Sequence, residues 1–505
     1  MKSYRLRTQK TGERLSQEEQ IAWKIAQMAA DPAPLDSEAS EMAAMRIIDD
    51  WAVALAALDR PSVIAARGAA LAHQRPGGAS IIGLGKHPQV DAYWASYANA
   101  TAIRELDFND SFFAEDSSHP GDVIGPIAAI AEQRGLTGTA LLRGIIVAYE
   151  VQVSLVKGIA LNRHRIDHVA HLGPAVAAGI GAMLDLPVPV LYQAINLAAH
   201  LSISTRQTRK GEISSYKANA PGHIGQIAML AVDRAMRGET SPAPVYEGDY
   251  GLIAILLDGP DAEYTVQLPA HGDPKRAILD TYPKEHSAGY HGQALIDLAI
   301  RMRDRIGDES QIRDITIYTK ELTHLVMGSG AGDPEKWDPT ASRETLDHSA
   351  MYIFAVALQD GAWDHIGSYL PARAARPDTV ALWKKIQTVS DPSWTHEFLN
   401  PAPLDKAHGA RVVITYNDGR IFEDELRVAN AHPRGAAAYG IADYRKKFLR
   451  LTENHVATTE AERFLETVEN LPTSNSQKRV DLSVSALSLP RARPGLFERD
   501  DEPIL

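Results

Sequence analysis

The chain has 505 residues, 45% of them hydrophobic, with 52 Lys and Arg against 64 Asp and Glu for a net charge of -12. That is more apolar material than one core usually organises, so at least two domains are expected, and the acidic balance makes nucleic acid or an anionic membrane surface a poor partner. There is no Cys, which excludes disulfides, thiolate nucleophiles, Cys-held zinc and thiolate-held iron–sulfur clusters.

The first ten residues are polar and basic with no apolar stretch behind them, so no secretory signal is read and the cytoplasm is the expected compartment. From about residue 17 to 270 the pattern is helical, with Ala- and Leu-rich segments broken by Gly, Pro and Asp. Leu141 to Lys157 is apolar on most faces, as a helix enclosed by other helices must be. Val169 to Leu184, weakly charged and containing His171 and Pro174, falls short of the ~20 apolar residues of a membrane span and reads as a buried helix. Further helices are predicted near 174–184, 189–201 and 222–237, with Pro189 and Pro221 at or just before helix starts.

Beyond about 276 strand-like alternation appears at 313–319 and 411–416. Asn417, Asp418 and Gly419 form a strong turn signal, and residues 421–428 return as the partner strand of a hairpin. Helices at 293–304 and 347–358 are expected to cover one sheet face. After Gly435 the chain is helical again through 439–469. The expected fold class is therefore mainly α with an α+β unit. Residues 1–275 form the first part of a helical domain, 276–432 an inserted α+β domain, and 433–505 the helical return and a terminal arm. That arm, with Pro490, Arg491, Arg493 and Pro494, is read as flexible or as a strap onto a partner subunit.

Five segments could carry chemistry. Asp107, Asp110, Ser111 and His119 fall in one connection between helical regions, where carboxylates, a hydroxyl and an imidazole can supply acid–base groups. Equally, Asp110 and Ser111 could simply cap a turn. His164, His168 and His171 have helical spacing and could mimic a metal site. No Cys or carboxylate companion with familiar zinc spacing accompanies them, so imidazoles acting beside an anion are the better reading. Arg206, Arg209, Lys210 and Lys217 concentrate four cations ahead of a helix, as an anion clamp would, or as an ordinary solvated loop would. Lys284, His286, Tyr290 and His291 open the α+β unit, at a hinge or in a capping loop. Arg343 to Tyr352 reads as a helix start facing the same cleft.

Taken in order, Asp107 to Ser111, His119-Pro120, Ile166 to Val169, Lys217 before Gly222, Ser287 to Gln293 and the Thr415 to Gly419 hairpin resemble the MmgE/PrpD family, specifically its 2-methylcitrate dehydratases, over roughly residues 17–470. The resemblance implies a large helical domain built from both chain ends, a smaller α+β lid, a homodimer and an active site in the cleft between them. It implies a cofactor-free, metal-independent hydro-lyase that removes water from 2-methylcitrate in propionate catabolism, with citrate as a second substrate. By position it implies Asp110, His119, His168, Lys217 and His291 as catalytic residues. Ser111, Arg206, Arg209, Lys284 and His286 are then the substrate-binding ones. Ser111 stands where the family commonly has Thr, and Gly289 where an acidic residue is often found. The same scaffold in this family also supports cis-aconitate decarboxylation and epimerisation of small diacids. An inactive tricarboxylate-binding protein is the alternative from another class.

Overall fold

A computed structural model of the protein describes residues 1–10, 12–474 and 478–489. It is mainly helical with a small sheet region. The helix Gly138–Gly158 starts at the Thr137 cap, whose hydroxyl accepts the Ala140 N–H at 3.3 Å. Apolar on all sides, it is long enough to cross a bilayer by composition, yet 83% of that stretch is buried inside the protein. It crosses the helix Leu172–Met183 at two glycines, where a Cβ on Gly179 would stand 2.6 Å from the Gly144 carbonyl oxygen. Only Gly permits this approach. The short turn His168–His171 leads directly into that second helix, so the crossing sets where His168 sits.

The helix Ala92–Glu105 runs antiparallel to the helix Tyr216–Met236, with Asn219 donating to the Tyr97 hydroxyl and Gln226 to the Tyr93 carbonyl. The end of one and the start of the other therefore bring Arg104 and Lys217 to the same level. Pro221 lies inside the second helix, not at its start as the sequence suggests. Its missing N–H leaves the Lys217 carbonyl without the usual helical partner, and the helix nevertheless extends back to Tyr216 because Lys217 is fixed by ion pairs.

One hydrophobic cluster takes in residues from Leu6 to Ile278 together with Tyr444, Phe448, Phe464, Leu465 and Val468 of the helices Ile441–Thr452 and Thr458–Glu469. Leu482 also joins it, its carbonyl accepting from Trp51 Nε1 at 2.9 Å. The Pro490 to Pro494 stretch lies outside the described residues. A second cluster, from Ala288 to Tyr416, packs the helices Tyr290–Ile306 and Ala350–Asp360 against a four-stranded sheet. Its order is Ile386–Ser390, Ile312–Thr319, Ala410–Tyr416, Ile421–Leu426, parallel in the first pair and antiparallel in the others. The expected hairpin turns at Gly419, whose positive φ of 85° suits Gly. The edge strand Ile386–Ser390 was not foreseen. Nor was the pairing of Lys2–Arg7 with Glu263–Leu268 within a region read as helical.

Candidate active site

The connection after helix Ala92–Glu105 begins at Asp107, a buried residue with φ of 49°. This left-handed conformation is uncommon outside Gly, Asn and Asp, and here it puts a carboxylate among cations. Arg104 Nη1 lies 2.9 Å from Asp107 Oδ1 and Lys217 Nζ 2.9 Å from Oδ2, while the Lys284 ammonium pairs with Oδ1. Burial alone would push the Asp107 carboxyl up, but Arg104, Lys217 and Lys284 hold it well below the usual carboxylate range. Lys217 also donates to both oxygens of Asp347, at 2.7 and 2.9 Å. Asp347 in turn takes Nδ1 of His348 and Arg343 Nη1, the latter at 3.2 Å.

Beside this network is a cleft lined by Arg104, Asp107, Phe113, His119, His168, Arg206, Arg209, Tyr290, His291, Leu322, Val326 and His348. Its cavity volume is about 50 Å3. A wider surface groove of about 520 Å3, lined by Asp31, Arg143 and Asp185 among others, has no imidazole in its wall and a single cation. The smaller cleft is thus where convergent chemistry lies.

Two imidazoles face each other across it, with ring centroids 5.4 Å apart. His119 Nδ1 is 2.9 Å from the Asp110 carbonyl oxygen. A carbonyl only accepts, so Nδ1 carries the proton and Nε2 keeps its lone pair. His168 Nδ1 is 3.1 Å from Asp167 Oδ1, and its buried Nε2 has no hydrogen-bond partner among the described residues. Burial holds both rings neutral: His168 is brought down to about 3 despite Asp167, and His119 well below the usual value with help from Arg104 and Lys284. Asp167 itself is fixed by the Thr208 hydroxyl and by Arg209 Nε at 3.3 Å. Arg209 Nη2 is buried and unpaired, and no hydrogen bond or ion pair closes on the Arg206 guanidinium among the described residues. These are the donors left for an anion. His291, with Nδ1 3.0 Å from Thr323 Oγ1, stands on the opposite wall near Phe113.

Of the residues singled out in the sequence, His119, His168, His291, Arg206 and Arg209 line this cleft. Lys217 and Lys284 stand behind its wall as partners of Asp107. Ser111 Oγ is 3.2 Å from His119 Nδ1. His286 points elsewhere, its Nε2 2.9 Å from Asp297 Oδ1. The Asp110 carboxylate also faces away, into the helical core. It accepts from the Gly121 N–H at 2.8 Å and the Tyr149 hydroxyl at 3.1 Å, and meets Arg46 Nε at 3.2 Å. What reaches His119 is the Asp110 main-chain carbonyl. Asp110→Ala should therefore act on stability, leaving Arg46 buried and short of its carboxylate at a cost of about 3–5 kcal/mol. A urea midpoint unchanged from the parent would refute that.

His164, His168 and His171 do not converge. His171 Nε2 meets the Ile159 carbonyl at 3.0 Å, and His164 faces Asp258 at 3.6 Å. Asp107, Asp347 and His348 do bring ligand atoms within 4.8 Å of one another, as a metal site requires, but the Lys217 ammonium already touches both carboxylates as their cation. The catalytic and binding residues implied by the resemblance do not include Arg104, Asp107, Asp167 or Asp347, although Asp107 and Asp347 fall in segments the sequence marks as candidates. The available signals were Arg104 and Asp107 three apart at a helix end, and carboxylates directly ahead of His168 and His348.

The buried imidazoles also set the acid limit of the fold. An unfolded His titrates near about 6.5, whereas in the fold His168 is lowered to about 3, and His171 and His348 to about 4, by burial. Below about pH 6.5 the unfolded chain binds protons the folded chain refuses, so this stability is full above that pH and is lost on acidification toward 4. The imidazole contribution should lower urea midpoints as pH falls below about 6.5, offset in part by Glu247 and Asp122, which burial raises to about 7 and about 6.

A cleft of neutral imidazoles with free lone pairs, cations left for an anion and a buried carboxylate behind them defines an enzyme of the acid–base class. Residues 19–265 match the MmgE/PrpD N-terminal domain and residues 286–473 the MmgE/PrpD C-terminal domain. The chain belongs to the MmgE/PrpD family. It is 26% identical to a 2-methylcitrate dehydratase of Cupriavidus necator over 67% of this chain and 70% of that one. It is 28% identical to a mitochondrial 2-methylcitrate dehydratase of Yarrowia lipolytica over 67% and 66%. A 2-methylcitrate dehydratase of Salmonella typhi is 25% identical over 75% of this chain and 79% of its own.

Proposed function

We propose that this chain is a 2-methylcitrate dehydratase of propionate catabolism, acting in the cytoplasm as a homodimer without metal or cofactor, and more slowly on citrate. The carrying observation is the facing pair His119 and His168, each with Nδ1 tied down and Nε2 free. His168 removes the proton from the carbon bearing the methyl group, and Asp167 steadies the imidazolium that forms. The carbon–oxygen bond on the adjacent carbon breaks, the electron pair of the lost C–H bond becomes the alkene, and the departing hydroxide takes a proton from His119 to leave as water. The trianionic substrate favours the imidazolium of His119. Arg206 and Arg209 hold carboxylates, and Arg104 and Lys217 restrain developing charge.

The helical body, assembled from both chain ends, and the inserted α+β unit serve as base and lid. A cavity of about 50 Å3, against the roughly 300 Å3 at which ligand pockets begin, supports a lid that opens for substrate. The test is the rise in ultraviolet absorbance from the conjugated alkene when purified chain meets 2-methylcitrate, in EDTA. Carbon dioxide release from cis-aconitate with no alkene formed would overturn the dehydratase reading, and strict dependence on added iron would overturn the metal-free one. Because proton and trianion bind together, KM should rise as the pH is raised.

A further inference from the structure

Packed against Phe113 and Tyr290 is a second polar group that the reaction does not use. His408 is 1% exposed and neither of its ring nitrogens has a hydrogen-bond partner among the described residues. Its ring is surrounded by Phe113, Tyr282, Tyr290 and Phe398 at centroid distances of 5.0 to 5.5 Å, with His432 at 6.1 Å. His432, fully buried, accepts the Arg434 N–H on Nδ1 at 2.9 Å, so the proton of the neutral ring sits on Nε2, which is unpartnered. The buried Tyr290 hydroxyl is unpartnered too.

Lys320 completes the group. Its ammonium, 1% exposed, donates to the His408 carbonyl at 3.3 Å and lies 5.1 Å from the Phe398 ring centre. Of the other buried lysines, Lys217, Lys275, Lys284, Lys336 and Lys447 each face a carboxylate, while Lys406 donates to the Phe398 carbonyl at 2.8 Å. No carboxylate reaches ion-pair distance of Lys320, His408 or His432 among the described residues, and burial alone lowers Lys320 to about 7. The inventory is weighted to donors: an ammonium, an imidazole N–H on His432, one on His408 and a phenol O–H, against a single acceptor nitrogen on His408 and no anion. Buried donors of this kind are costly unless something accepts from them.

We propose that Lys320, His408 and His432, with the hydroxyl of the cleft-lining Tyr290, form a binding site for a small monovalent inorganic anion of halide size next to the substrate cleft. The aromatic rings exclude larger anions, and the ammonium supplies the countercharge. Because no step of the elimination runs through this site, the proposal stands or falls apart from the assigned activity.

The test is bromide. Crystals of the full chain equilibrated in sodium bromide should give an anomalous peak within hydrogen-bond distance of Lys320 Nζ and His432 Nε2. In solution, replacing gluconate by bromide at constant ionic strength should raise the melting temperature saturably, by about 1–3 °C. Lys320→Met, a substitution close in volume that removes an uncompensated charge, should fold, lose the anomalous peak and lose the bromide-dependent shift. Absence of anomalous density at this place in the parent protein would overturn the proposal, as would an equal bromide shift in Lys320→Met.

Discussion

Asp107→Asn should leave a chain that folds but turns over substrate at least about 100-fold more slowly, with stability reduced by about 3–5 kcal/mol. Asn is the mildest replacement, since it keeps the shape and tolerates the left-handed φ of 49° at this position. What it removes is the one charge that Arg104, Lys217 and Lys284 share. Among the described residues Asp347 then remains as the only carboxylate touching Lys217, and Lys284, already lowered to about 8 by burial against the pull of Asp107, loses its ion pair. Losing its ion pair while still buried drives the lysine further down. The electrostatic wall of the cleft therefore changes along with stability. Urea denaturation gives the first quantity and initial rates under folded conditions the second. A variant as stable and active as the parent would mean that Asp107 is not the hub of this network.

Much of the framework was readable before any coordinates because it depends on local rules. The enclosed helix Gly138–Gly158 follows from apolar residues on most faces, and the hairpin at Asn417 to Gly419 from turn chemistry. The cleft was half readable: the His and Arg residues that line it were named, but the carboxylates were misjudged. Asp107 and Asp110 sit three apart in one loop, and no periodicity tells which of them faces the cations. That is decided by the positive φ at Asp107 and by Arg46, which arrives from a helix 64 residues earlier. Likewise Asp347 and His348 gain meaning only when Lys217 is brought against them by the packing of distant helices. The strand Ile386–Ser390 is short, half polar and held by a parallel partner far back in the chain, so its residues carry little signal of their own.

His168→Gln should lower kcat by about 100- to 10,000-fold with little change in KM, because the ring makes its contribution as a base and not as a carboxylate clamp. Asp167→Asn should act in the same direction through His168, keeping an acceptor for Nδ1–H but losing the charge that steadies the imidazolium. Arg209→Lys, by contrast, should raise KM, since the lysine cannot reproduce both the Asp167 contact and the free guanidinium edge. A substrate deuterated at the methyl-bearing carbon separates these roles. If His168 takes that proton, its loss makes C–H cleavage more fully rate-limiting, and the isotope effect on kcat should grow in His168→Gln and Asp167→Asn but stay at the parent value in Arg209→Lys. An isotope effect that grows in none of the three, with kcat intact in His168→Gln, would move the base to His119, His291 or His348, the other imidazoles of the same cleft.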